Sequence, residues 1–191
     1  MKQVRVYLAG PEVFLPNARE QLDAKIELTR AAGLIPVSPG DLEIPQTPTK
    51  KQKGHTISGI DEQLMRSADA IIANLTPFRG ISADTGTCYE LGFMCALGKA
   101  AYAYTNMSAD HHARAVAHYA GHVAPDAHGR LRGSDGMAVE DFDMIDNLMM
   151  HGGIERRGGV VVVGNAPVGA LYTDLTAFKE VLAIAAARLL A

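Results

Sequence analysis

The sequence predicts an α/β protein with a doubly wound, three-layer fold and a parallel sheet of five strands. Three observations carry this. Short runs rich in Val, Ile and Ala recur along the chain, amphipathic helical stretches separate them, and one of the runs is nearly all apolar, as a strand covered on both faces must be. Val4 to Ala9 is β-rich and is stopped by Gly10-Pro11. Asn17 to Ala32 places Ala18, Leu22, Ile26 and Ala31 at near-helical spacing before Gly33. Leu34 to Val37 reads as the second strand, and residues 38–53, rich in Pro and Lys, read as a loop without regular structure. A loop of that length commonly serves a site.

Ile57 to Ser67 has the pattern of a helix, and Ala68 to Leu75 is the apolar third strand. Asp84 to Leu97 is helical and ends at Gly98-Lys99, Ala100 to Tyr104 forms the fourth strand, and Val160 to Val163 the fifth. Residues 106–136, rich in His, Ala, Gly and Asp, read as a loop excursion, and Asp174 to Leu190 as an amphipathic closing helix. There is no repeat and no composition break, so the expectation is one domain over 1–191. Strands alternating with helices give a parallel sheet of the flavodoxin-like kind. Ligands in such sheets bind beyond the carboxyl ends of the strands, which draws attention to Gly10 to Pro16, Thr76 to Ala83 and the segment after Tyr104.

Composition narrows the function classes. The chain has 191 residues, 48% of them apolar and 20% charged, with a formal net charge of −3. A chain of this size buries enough surface to fold without a disulfide or structural metal. No run of like charges suggests a nucleic-acid track or an anionic-membrane patch, so a small neutral partner is expected. The opening residues lack a signal-peptide pattern, and the apolar tail Val181 to Ala187 is too short to span a bilayer, which points to a cytoplasmic protein. Cys88 and Cys95, seven apart in one helical stretch, suit reduced thiols better than a staple. His118 and His122 are four apart with His111 and His112 nearby, but no third ligand stands at motif spacing. They read as a solvated His-rich surface, with no metal and no cofactor implied.

The most informative stretch runs from Asp84 to Lys99. Glu90 has Gly86 and Met94 four residues away and Thr87 and Phe93 three away, so no Lys or Arg is placed to pair with it. On spacing alone it is either an ordinary acid near a helix start or a carboxylate kept for chemistry. Asp84 reads equally as an N-cap, Asp69 as a strand-edge acid, and Tyr7 as a core tyrosine.

Taken together, Val6-Tyr7-Leu8-Ala9-Gly10-Pro11, Ala68 to Leu75, Asp84-x5-Glu90-Leu91-Gly92 and Asp146-Asn147-Leu148-Met149 resemble the nucleoside 2-deoxyribosyltransferase family, in that order and across Tyr7 to Met149. Residues 106–136 and the closing helix have no counterpart in the resemblance. It implies Glu90 as nucleophile, Tyr7 as the hydroxyl that orients it, and Asp69 as acid/base toward the nucleobase. It further implies Asp84 and Asn147 at the sugar 5'-hydroxyl, Met149 in the sugar pocket, Gly10 at the substrate loop, and Phe14 or Phe78 stacking on the base. Asn147 and Met149 are lent by a neighbouring subunit in that family, so a homo-oligomer is expected, with a deoxynucleoside donor and a free nucleobase acceptor.

The chemistry suits these residue types. Breaking the C–N bond of a deoxynucleoside builds positive charge on the sugar, which a carboxylate can trap as an ester. Transfer to a second base then retains configuration, with water as a slow substitute acceptor. Two rivals stand beside this reading. One is a nucleoside 5'-monophosphate N-glycosidase, which tends to carry Ser at the position of Asp84 and a Gly-Ser-rich first loop. Here Asp84 and Glu12 would both repel a phosphate. The other is a nucleoside-sensing module without catalysis, which would not need Tyr7, Asp69 and Glu90 together.

Overall fold

The computed structural model describes residues 3–39 and 44–191. A five-stranded sheet is built from β1 (Arg5–Ala9), β2 (Ile35–Val37), β3 (Ala70–Asn74), β4 (Ala100–Thr105) and, after two minor strands, β7 (Val161–Val163). The order is β2-β1-β3-β4-β7, and every pairing is parallel. This is the flavodoxin-like order expected, with its switch point between β1 and β3.

Strand alternation divides the core in two. Val6, Leu8, Ile72, Tyr102 and Tyr104 face α1 (Ala18–Ala31) and the closing helix α6 (Thr176–Leu189), where they pack with Ile26, Phe178 and Val181. Tyr7, Ala9, Ile71, Ala73, Ala101 and Ala103 face α2 (Lys50–Ser67), α3 (Thr85–Ala96) and α5 (Leu148–Glu155), through Met65, Leu91, Met94 and Ile154. Ala73 of β3 and Ala101 and Ala103 of β4 lie on the second face, so α3 can approach the sheet closely, with Tyr7 among the bulky groups beneath it.

The helical layers depart from the sequence reading in three places. α2 begins at Lys50, two turns before the expected Ile57, because Thr49 caps it by accepting a hydrogen bond from Gln52 N at 3.2 Å. The expected loop over 38–53 is shorter by those residues, and its positions 40–43 lie outside the described residues. The 106–136 excursion is structured. It contains α4 (His111–His118), capped by Asp110 through Ala113 N at 2.7 Å, and a small antiparallel pair, β5 (Ala124–Pro125) and β6 (Leu131–Arg132). α4 ends at His118, so His122 does not share its helix face. α5, with Gly152 and Gly153 in a short span, has a composition too weak to mark it as a helix.

Cys95 is buried in the α3 core, Cys88 is half-buried, and both are free thiols. Among the described residues no helix is long and apolar enough to cross a membrane.

Candidate active site

β1 ends at Ala9, and Gly10 leads into a 3-10 turn, Pro11–Phe14, over the carboxyl edge of the sheet. Between this turn, α2 and the first turns of α3 lies a cavity of about 520 Å³. Its lining includes Gly10, Val13, Phe14, Asp61, Asp84 and Glu90.

Glu90 projects from α3 between Thr87 and Met94, on the side that meets β1. Tyr7 is fully buried, and its hydroxyl donates to Glu90 Oε1 at 2.7 Å. Burial pushes the Glu90 carboxyl up to about 7. The Tyr7 hydrogen bond opposes that rise, and the charges of Asp61 and Asp84 add to it. Tyr7 is held well above the ordinary range of a tyrosine, first by burial and then by the neighbouring Glu90, so it stays a neutral donor.

Asp84 is the N-cap that its sequence allowed, and it also stands in the cavity. Its Oδ2 caps α3, accepting from Thr87 N at 3.0 Å and Thr87 Oγ1 at 3.2 Å, and the residue also lines the cavity. The loop before it is tied down by Asp146, whose Oδ2 accepts from Ala83 N at 2.8 Å while its Oδ1 accepts from Asn147 N at 2.8 Å. Arg114 anchors this buried carboxylate at 3.3 Å and bonds the carbonyls of Ile81, Ala109 and Ile145, each at 2.6 Å.

Asp69 is not part of this assembly. It lies just before β3, at the amino end of the strand, exposed, with Oδ2 accepting from Arg5 N at 2.8 Å. The five residues of β3 span about 16 Å at 3.3 Å each, so Asp69 sits at the opposite edge of the sheet from the cavity. The acid that stands in the cavity is Asp61 of α2, whose carboxyl is raised by burial. Its sequence signal is the one that singles out Glu90. Ile57, Ile60, Leu64 and Met65 form a helical stripe with Asp61 in its middle and no cation at three or four residues.

The remaining expected residues divide. Phe14 lines the cavity, although its ring is 52% exposed. Phe78 is not among the lining residues. It stacks behind Phe14 with ring centroids 5.4 Å apart and planes at 16°, and Tyr172 meets it edge-on at 5.8 Å. Arg79, at a φ of 54° that few non-glycine residues adopt, lays its guanidinium 5.0 Å from the Phe14 centroid and 4.7 Å from that of Phe78. Asn147 caps α5 through Met149 N at 3.0 Å, and Met149 is 69% exposed. Neither lines the Glu90 cavity of its own chain. Glu12, expected to add negative charge at the first loop, is turned inward and ion-paired with Lys25, so it cannot repel a ligand in the cavity.

Three carboxylates and no cation therefore line the described cavity. Such a site favours positive charge developing on a bound ligand and disfavours a bound anion. Among the described residues no group of three or more His, Cys, Asp or Glu is placed to hold a metal ion.

Comparison with known proteins agrees with this geometry. The chain is 31% identical to an uncharacterized protein of Schizosaccharomyces pombe, over 96% of this chain and 89% of that one. Its fold is similar to that of a solved 2-desoxiribosyltransferase from Leishmania mexicana, at 28% identity and a TM-score of 0.61, covering 93% of this chain and 97% of that chain. A conserved protein from Enterococcus faecalis shares the fold at 18% identity and a TM-score of 0.59, covering 98% and 99%. The family profile described as nucleoside 2-deoxyribosyltransferase matches residues 6–149, from the strand that carries Tyr7 to the start of α5, and the chain belongs to that family.

Proposed function

We propose that the protein transfers 2-deoxyribose between nucleobases by double displacement, with Glu90 as nucleophile. The observation that carries this is the 2.7 Å bond from Tyr7 to Glu90 inside a cavity shared with Asp61 and Asp84. A buried carboxylate held by a neutral phenol, with one oxygen left for the substrate, is the arrangement a glycosyl ester requires.

In the first step Glu90 attacks C1' of the donor. The C–N bonding pair leaves with the base, which takes a proton from Asp61. In the second step a nitrogen of the acceptor base attacks C1' and gives its proton to Asp61, and the ester bond breaks to restore the Glu90 carboxylate. Two inversions give net retention. Asp61 replaces Asp69 in this role, because only Asp61 reaches the cavity. Burial raises its carboxyl, the direction that favours giving a proton to the leaving base. Since Glu90, Asp61 and Asp84 interact, the titrations seen in kinetics belong to the group.

Asp84 serves the free 5'-hydroxyl of the sugar and opposes a 5'-phosphate. Asn147 and Met149 serve the cavity of a neighbouring copy, a reading supported by the exposure of Met149 and by their absence from their own cavity. Phe14 receives the base.

The test is incubation with deoxyinosine and free adenine, followed by chromatography for deoxyadenosine, with Glu90→Ala as control. Wild type should form the product and the variant should not. Equal product from both, or preferential cleavage of deoxynucleoside monophosphates, would reject the proposal.

A further inference from the structure

Beneath the Gly10 turn is a buried polar cluster that the proposed reaction does not use. Glu12 and Lys25 are 2% and 3% exposed and form an ion pair through Glu12 Oε1. The same oxygen accepts from Asn74 Nδ2 at 2.7 Å and from the Tyr104 hydroxyl at 3.1 Å. The Lys25 ammonium lies 5.2 Å from the ring centroids of both Tyr104 and Phe178. An apolar pair of similar volume would serve stability about as well as two desolvated charges, so stability alone does not account for the arrangement.

Its position does. Glu12 is the second residue of the 3-10 turn that ends at Phe14, and its carbonyl accepts from Leu15 N at 3.1 Å to close that turn. Its Oε2 packs against Gly10, where a Cβ would collide with it and meet Asn74 Cβ at 3.0 Å, so a glycine suits the position. Asn74, which donates to Glu12, also accepts from Thr76 N at 2.9 Å, at the start of the segment that carries Phe78. One carboxylate thus holds the turn bearing Phe14 and, through Asn74, the segment bearing the ring stacked behind it.

We propose that the buried Glu12–Lys25 pair is a positioning device that sets Phe14 as the wall receiving the nucleobase, so that it governs affinity for the base and not the rate of bond breaking. The proposal rests on the deoxyribosyl-transfer reading of the same cavity. The experiment compares wild type with Glu12→Leu/Lys25→Met, which removes both charges together. It measures the KM for adenine, kcat, and amide hydrogen exchange over residues 13–15.

In the double variant the adenine KM should rise about tenfold while kcat stays within about threefold, and exchange at 13–15 should accelerate about tenfold. The KM effect should not multiply with that of Phe14→Leu, because both remove the same wall. The milder Glu12→Gln keeps the bonds to Asn74 and Tyr104 and should shift both readouts in the same direction by less. Unchanged KM and exchange, a loss confined to kcat, or full multiplication with Phe14→Leu would overturn the proposal. If wild type exchanges no bases, the proposed reaction fails, while the exchange rates at 13–15 still decide whether the pair anchors the turn.

Discussion

Glu90→Gln should make the protein more stable at neutral and alkaline pH, and the gain should disappear in acid. The carboxyl rises from an ordinary 4.5 to about 7 on folding, chiefly because it is buried. A group with a raised carboxyl value folds most favourably while protonated. The penalty for its charge therefore sets in as pH rises above about 4.5 and is complete above about 7. That interval corresponds to about 3 kcal/mol, and glutamine keeps a carbonyl to accept from Tyr7 without carrying the charge. For a chain of this length 1 kcal/mol moves Tm by about 2–4 °C, so the variant should melt about 6–12 °C higher at pH 8. The difference should shrink toward zero near pH 4.5. Thermal unfolding of both proteins at matched concentration across that range measures it. A pH-independent difference, or a variant that melts lower at pH 8, would refute the reading of Glu90 as a desolvated carboxylate.

Other outcomes follow from the same geometry. Tyr7→Phe removes the bond that holds the Glu90 carboxyl down, so the acidic limb of kcat/KM, expected near pH 7, should move to higher pH while the rate falls about tenfold or more. Asp61→Asn removes a neighbouring charge and should move that limb to lower pH, while slowing transfer about 100-fold for lack of a proton donor. Asp69→Ala should leave base exchange within about twofold of wild type and cost about 1 kcal/mol of stability through loss of the bond from Arg5 N, as activity assays and chemical denaturation would show. Lys25→Met alone leaves Glu12 buried without its cation and should cost about 3–5 kcal/mol, read as a drop in the denaturation midpoint.

The sheet was legible because each strand is a run of apolar residues between breakers, and burial on both faces leaves little room for anything else. Spacing marked Glu90 as an acid without a cation and left Tyr7 a strand tyrosine, and only the family resemblance paired the two, as their hydrogen bond does. Asp69 misled because its role came from the resemblance alone, although its place at the start of the Ala68 to Leu75 run already set it at the amino end of β3, away from the edge where ligands bind. Its acid side chain is solvated at the amino end, while Asp61, within a helix whose first turns are Lys-rich, faces the cavity. The inward turn of Glu12 was hidden because its partner is 13 residues away on α1 and its other contacts come from β3 and β4. Phe78 could not be told from Phe14, since which ring is in front depends on the order in which two loops stack.

The carboxylate of Asp146 offers a handle for altering what the proposed site accepts. It fixes the backbone amides of residues 83 and 147 at once, and Arg114 fixes it in turn, so the loops that enter α3 and α5 are held by a buried pair in addition to the caps that Asp84 and Asn147 supply. Positions 84 and 147, the two proposed to meet the sugar, can therefore be varied together among cap-forming residues (Asp, Asn, Ser, Thr) while 114 and 146 are left untouched. A library of that design searches new preferences at the sugar's far end on a frame that stays in place.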